Sequence, residues 1–192
     1  SFDTEKIPIG SLSSSLREVE EKIRQQYAVH QPYYNWLPSL VYKKFATLEE
    51  AARYLGYAKL QILQWDIPET ETDICFSGDS EGRIEQISLE TGYTAGNVRL
   101  QAFTLMYTEF YSGKFTFGTS TTESLEFTES FYTTQNQLEC RIVKSGPMES
   151  GYYGQDGYLT VDGLVYNLHI AHLEEDATQA DALMRQWAEQ FR

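Results

Sequence analysis

The stretch Tyr158-Leu159-Thr160-Val161-Asp162-Gly163-Leu164-Val165-Tyr166-Asn167-Leu168-His169-Ile170 decides the fold class. At its centre, Asp162-Gly163 supplies the positive φ that a two-residue type I′ turn requires, the turn whose twist matches paired antiparallel strands. Beyond the turn, Leu164, Tyr166, Leu168 and Ile170 alternate with Val165, Asn167 and His169, the period of a strand with one face on a core.

Outward from this hairpin the period of two persists. It predicts strands at 59–64, 73–77, 83–90, 97–110, 123–132, 137–144, 152–161 and 164–171. Turn residues separate them: Gly78-Asp79-Ser80-Glu81-Gly82, Gly92 to Asn97, Ser112-Gly113 and Ser145-Gly146-Pro147. Helical spacing is confined to the two ends of the chain. Ser15-Leu16-Arg17-Glu18 fits a capping box ahead of Leu16, Val19, Ile23 and Tyr27. Thr47 and Glu50 fit a second box, Leu48, Ala51, Ala52 and Leu55 form a buried stripe, and Gly56 stops that helix. Ala180, Leu183, Met184, Trp187 and Phe191 share one face of a closing helix, with Asp176 and Asp181 near its start and Arg192 at its end. Pro32 and Pro38 make residues 30–40 a connector. Successive antiparallel strands with terminal helices predict an α+β fold, a curved antiparallel sheet packed against helices from the N- and C-terminal ends. Residues 1–44 read as a helical extension and connector, and 45–192 as the α+β domain of one structural unit.

The charge narrows the partners. The chain has 192 residues and a net charge of -13. Residues 1–60 carry eight Lys/Arg and seven Asp/Glu, a net of +1, whereas residues 61–192 carry seven and twenty-one, a net of -14. That field repels phosphate backbones and anionic lipid, which argues against nucleic acid. No run of 18 apolar residues occurs, the threshold for a membrane-spanning helix. Cys75 and Cys140 lack CxxC spacing, which leaves two buried thiols or, in an oxidising compartment, one disulfide.

Catalytic motifs are missing from the sequence. There is no HExxH, GxSxG, Walker A loop or strand-borne GxGxxG. His169 and His172 fall at a strand end, where a spacing of three points them to opposite faces, and His30 stands alone. Asp79-Ser80-Glu81-Gly82 lacks the ligand series of an EF-hand and reads as a solvated hairpin tip. No catalytic residue, metal ligand or cofactor is assigned. Tyr33, Tyr34 and Trp36, with Tyr152 and Tyr153, are the candidates for a binding surface, since aromatics beside acids suit a sugar or peptide ligand. A hydrolase built on scattered acids would need two carboxylates across a cleft.

Three segments carry a family resemblance. Phe45-Ala46-Thr47-Leu48-Glu49-Glu50-Ala51-Ala52-Arg53-Tyr54-Leu55-Gly56-Tyr57 resembles the opening helix of a bacterial domain family of unknown function. Asp162-Gly163-Leu164-Val165-Tyr166-Asn167-Leu168 looks like its last hairpin, and the helix with Met184, Trp187 and Phe191 is similar to its closing helix. Two departures stand out: Tyr158-Leu159-Thr160 replaces a strand that often bears Trp, and only Trp65-Asp66-Ile67-Pro68 matches a Pro-rich connection. The family occurs outside the membrane in Gram-positive proteins, C-terminal to a transmembrane helix and an anti-sigma-like cytoplasmic region. The resemblance implies a non-enzymatic extracytoplasmic sensor or protein-interaction domain, membrane-anchored or secreted, with a protein or cell-wall component as partner. A cell-surface carbohydrate- or peptide-binding module is the alternative. The chain begins at Ser1 rather than Met, and an upstream transmembrane helix or signal peptide is expected.

Overall fold

The computed structural model describes residues 6–7, 14–30, 40–78, 83–108, 110–111, 115–116 and 126–192. The strands are β1 (Lys6–Ile7), β2 (Leu40–Phe45), β3 (Glu69–Gly78), β4 (Ile84–Ala95), β5 (Val98–Tyr107), β6 (Phe115–Thr116), β7 (Phe127–Thr133), β8 (Glu139–Ser145), β9 (Tyr153–Val161) and β10 (Leu164–His172). The helices are α1 (Ser14–His30), α2 (Leu48–Leu55) and α3 (Ala177–Ala188), with a 3-10 turn at Glu174–Asp176 before α3.

Eight strands form one open antiparallel sheet in the order β2-β3-β4-β5-β10-β9-β8-β7, and β1 pairs with β6 in a separate two-stranded ladder. With three helices, this is an α+β fold. The large sheet is two four-stranded meanders joined where β5 meets β10. The connection between Tyr107 and Phe127 therefore carries the chain from the middle of the sheet to its far edge.

The Asp162-Gly163 turn is as expected. Val161 pairs with Leu164, and Asp162 and Gly163 have φ of 52° and 78°. Leu164, Tyr166, Leu168 and Ile170 all lie in the main core. Helix α2 also forms for the reasons its sequence gives. Thr47 Oγ1 accepts from the Glu50 amide at 3.2 Å, and Gly56 takes φ 65° while its N–H donates to Ala52 O at 3.0 Å. The reciprocal half of the capping box does not form; Glu69 Oε2, from β3, accepts from the Leu48 amide instead at 2.9 Å.

One face of the sheet holds the core. Val19 and Ile23 of α1, Leu48, Ala51 and Leu55 of α2, and Ala180, Leu183, Met184, Trp187 and Ala188 of α3 share a cluster with Ile74, Phe76, Ile87, Leu89, Leu100 and Leu159. Trp187 is 1% exposed. Gly157 makes the close approach of α3 possible: a Cβ there would overlap Met184 Sδ and come within 3.0 Å of the Trp187 ring.

Several expectations need correction. Residues 59–64 are irregular rather than a strand. β2 lies in the stretch that follows the expected connector and crosses the expected boundary at residue 44. β3 begins at Glu69, earlier than expected. Gly92 sits inside β4, and the turn falls at Gly96, φ 63°. Ser15 lies inside α1, which has begun by Ser14, and His30 ends α1 rather than opening the connector. The expected turns at 79–82 and 112–113, the hairpin tip included, lie outside the described residues.

Candidate functional site

The opposite sheet face carries no described helix. Strand register places one row of side chains across all eight strands there: Lys44, Asp73, Glu90, Phe103, Asn167, Tyr158, Arg141 and Phe131. Charged, amide and aromatic groups alternate along it, in contrast to the aliphatic helix-bearing face. Phe131 is 52% exposed and Val41, one row away on β2, is 45% exposed. A small apolar cluster of Leu105, Tyr107 and Val165 interrupts the polar surface near its centre.

Two groups with chemical potential stand on this face. The first is Asp73, Cys75 and Glu90, whose ligand-type atoms lie within 4.8 Å of one another. The Cys75 thiol donates to Glu90 Oε2 at 3.3 Å, Ser88 Oγ donates to Glu90 Oε1 at 3.5 Å, and Lys44 Nζ lies 3.9 Å from Asp73 Oδ1. Burial and the neighbouring Glu90 and Asp73 carboxylates push the Cys75 thiol well above its ordinary range. A thiol raised in this way is a poor nucleophile. Hydrogen bonds join Cys75, Glu90 and Ser88, whereas the buried Asp73 Oδ1 makes none and has only Lys44 in ion-pair range.

The second group surrounds Gly154. His169 Nδ1 and Asp156 Oδ1 are 3.0 Å apart across β9 and β10. A Cβ on Gly154 would stand 2.9 Å from Ser145 Oγ and 3.6 Å from His169 Cε1, so the hydroxyl and the ring flank the same glycine. The hydrogen bond that the ring makes to the Asp156 carboxylate raises the His169 pKa, against the lowering effect of burial. The residue types are those of a nucleophile, base and orienting acid, but no hydrogen bond joins Ser145 Oγ to the ring, which an activated serine requires. His172 lies on the other face, as expected, with Nδ1 2.7 Å from Leu173 O.

The expected binding aromatics fall only in part within the described residues. Tyr33, Tyr34 and Trp36 lie outside the described residues. Tyr153 is half-buried and stacks on His172 with ring centroids 5.8 Å apart, and Tyr152 is half-buried before β9. Sequence reasoning missed Phe131, Arg141 and Tyr158. Their alternation within 127–132, 139–144 and 153–161 was a signal, but their shared row exists only in the register.

The described concavities are modest. A shallow groove of about 270 Å³ follows the end of α2, lined by Ala52, Gly56, Tyr57, Ala58, Leu60 and Ile62 with Glu49 and Arg53 at its rim. A space of about 70 Å³ lies between β7, β8, β9 and α3. Cys75 and Cys140 are both free and buried. Cys75 lies on the helix-free face and Cys140 in the main core, with four strands between β3 and β8. That is roughly 24 Å along the sheet, against a disulfide Cα separation of less than about 7 Å, so the disulfide alternative does not hold. No helix of the described residues is long and apolar enough to cross a membrane. No family model matches the chain, and neither a curated protein nor a solved structure matches it.

Proposed function

We propose that this chain is a non-enzymatic protein-interaction or sensor domain, held outside the membrane as part of an anchored bacterial protein. The observation that carries the interaction reading is the row from Lys44 to Phe131 on the helix-free face. A sheet face needed only for solubility would be uniformly polar, and one needed for a core would be aliphatic. The exposed ends of the row, Lys44 and Phe131, with the half-buried Asp73, Glu90, Phe103 and Tyr158 between them, mix charges and aromatics as a recognition surface does, while Asn167 and Arg141 lie buried beneath it. In this reading the sheet curves over α2 and α3 and turns its other face to the partner. The placement outside the membrane rests on the resemblance of Phe45–Tyr57, Asp162–Leu168 and the closing helix.

Two experiments test this. Generic glycosidase, esterase, phosphatase and peptidase substrates are expected to show no turnover; reproducible activity abolished by Ser145→Ala, His169→Ala or one Asp or Glu substitution overturns the non-enzyme reading. The encoded protein, read from its start codon, is expected to carry an upstream apolar segment of about 20 residues or a signal peptide. A start at Ser1 with neither removes the extracytoplasmic placement.

A further inference from the structure

The helix-bearing side of the sheet holds a small space that the interaction reading does not use. It lies between α3 and strands β7, β8 and β9, has a volume of about 70 Å³, and is lined by Ser130, Lys144, Gln155, Asp181 and Arg185 beside two apolar side chains. Register sets Lys144 opposite Gln155 on neighbouring strands. Asp181 and Arg185 stand one turn apart on α3.

The polar groups around this space are not all satisfied. Asp181 Oδ1 accepts two hydrogen bonds, from Lys144 Nζ at 2.7 Å and from Gln155 Nε2 at 2.7 Å. Burial raises the Asp181 pKa, but these bonds outweigh it and lower the pKa, so the carboxylate stays ionised. An ionised carboxylate only accepts, so the Gln155 amide presents its NH2 to Asp181 and turns its carbonyl oxygen elsewhere. Gln155 is 2% exposed, and its Oε1 is buried without a hydrogen bond. A buried acceptor left unpaired is costly, because the unfolded chain hydrogen-bonds it to water. Oε1 therefore calls for a donor from outside the chain.

The charges around the space define the rest of the ligand. Residues 61–192 hold seven Lys/Arg against twenty-one Asp/Glu, yet two of the seven, Lys144 and Arg185, border it. Lys144 is paired with Asp181. Arg185 is exposed, makes no ion pair among the described residues, and holds its guanidinium carbon 5.7 Å from the centre of the Tyr132 ring. A cation here would face two like charges. A water would satisfy Oε1 but leave Arg185 without an anion. An anion that also carries a hydrogen-bond donor satisfies both.

We infer that this space is a binding site for a small oxyanion that keeps a hydroxyl hydrogen, such as bicarbonate, phosphate or a short α-hydroxy carboxylate. The hydroxyl donates to Gln155 Oε1, and the anionic oxygens accept from the Arg185 guanidinium and from Lys144. The volume sets the size: space for about two waters admits roughly four or five non-hydrogen atoms and excludes a sugar ring or a nucleotide. The site lies on the opposite side of the sheet from the row that faces the protein partner, so the two readings stand or fall apart.

Nitrogen-15 correlation spectra of the intact chain test the site. Bicarbonate, phosphate and glycolate, each added at constant ionic strength, are the probes; acetate and chloride, which carry no donor, are the controls. At least one probe is expected to move the Gln155 side-chain NH2 and Arg185 Nε–H signals to saturation. That probe should bind about tenfold or more tightly than either control, the scale of one added hydrogen bond. Arg185→Gln, at an exposed position, should weaken it roughly tenfold. Gln155→Met, which keeps the side-chain length and removes Oε1, should bring probe and control to the same affinity. If no probe moves those signals, if the controls move them equally, or if the probe binds Arg185→Gln unchanged, the space holds water alone and the site is overturned. The row on the other face is untouched by that result.

Discussion

Asp162 and Gly163 hold positive φ in a two-residue turn, and only a residue that tolerates the left-handed region fits at 163. Gly163→Val is expected to lower stability by about 1–3 kcal/mol, the scale of local backbone strain; a melting temperature equal to the parent's contradicts the turn. This position was legible because the chemistry is local to two residues. His169 was not legible in the same way. Its partner Asp156 is thirteen residues earlier and meets it only through the β9–β10 register. Because that hydrogen bond raises the His169 pKa, its contribution to stability is complete below the unfolded value of about 6.5 and is lost as pH rises through the folded one. Asp156→Asn should lower the His169 pKa, followed by the ring proton shifts against pH. An unchanged titration would mean that the two side chains do not pair in solution.

At the scale of elements, the closing helix is the best-anchored piece. Ala180, Leu183, Met184 and Trp187 fall on one face in the sequence, and all four are buried against β9 and β10. Trp187→Ala is expected to cost on the order of 3–5 kcal/mol, as full burial of the ring implies. Gly157→Ala should cost about 1–3 kcal/mol through overpacking against Met184 and Trp187, read from urea unfolding; a neutral result would place α3 elsewhere. The elements that the sequence misassigned share one physical cause. Residues 59–64 alternate like a strand, but their backbone is satisfied by side chains far along the chain. Tyr166 Oη accepts from the Gln61 amide at 3.0 Å, and Gln61 exchanges two bonds with the Arg192 backbone. The early part of β3, Glu69-Thr70-Glu71-Thr72, is polar on both faces and reads as loop. It is a strand because Thr72 meets Thr91 Oγ1 at 2.9 Å and Glu69 caps α2. Gly92, which reads as a turn residue, instead lets the Thr70 side chain lie against β4.

For the whole molecule, the α+β class was legible from periodicity, because terminal helices and successive strands are local patterns. The order of the strands was not, since nothing between Tyr107 and Phe127 states that the chain restarts at the far edge. The candidate surface follows from that order, which is why the aromatics singled out by sequence differ from the row that the register assembles. The same order sets the two thiols four strands apart, and titration of unfolded, unreduced protein should count two free thiols; none would contradict the topology. The central claim is that the helix-free face meets a protein partner. A photo-crosslinking amino acid placed in the native host at Phe131 and at exposed Thr160, both on that face, tests it against the same probe at Arg53 on α2, whose side chain is 71% exposed. The account predicts one protein adduct shared by positions 131 and 160 and absent at 53. Adducts equal at all three positions, or found only at Arg53, would contradict it.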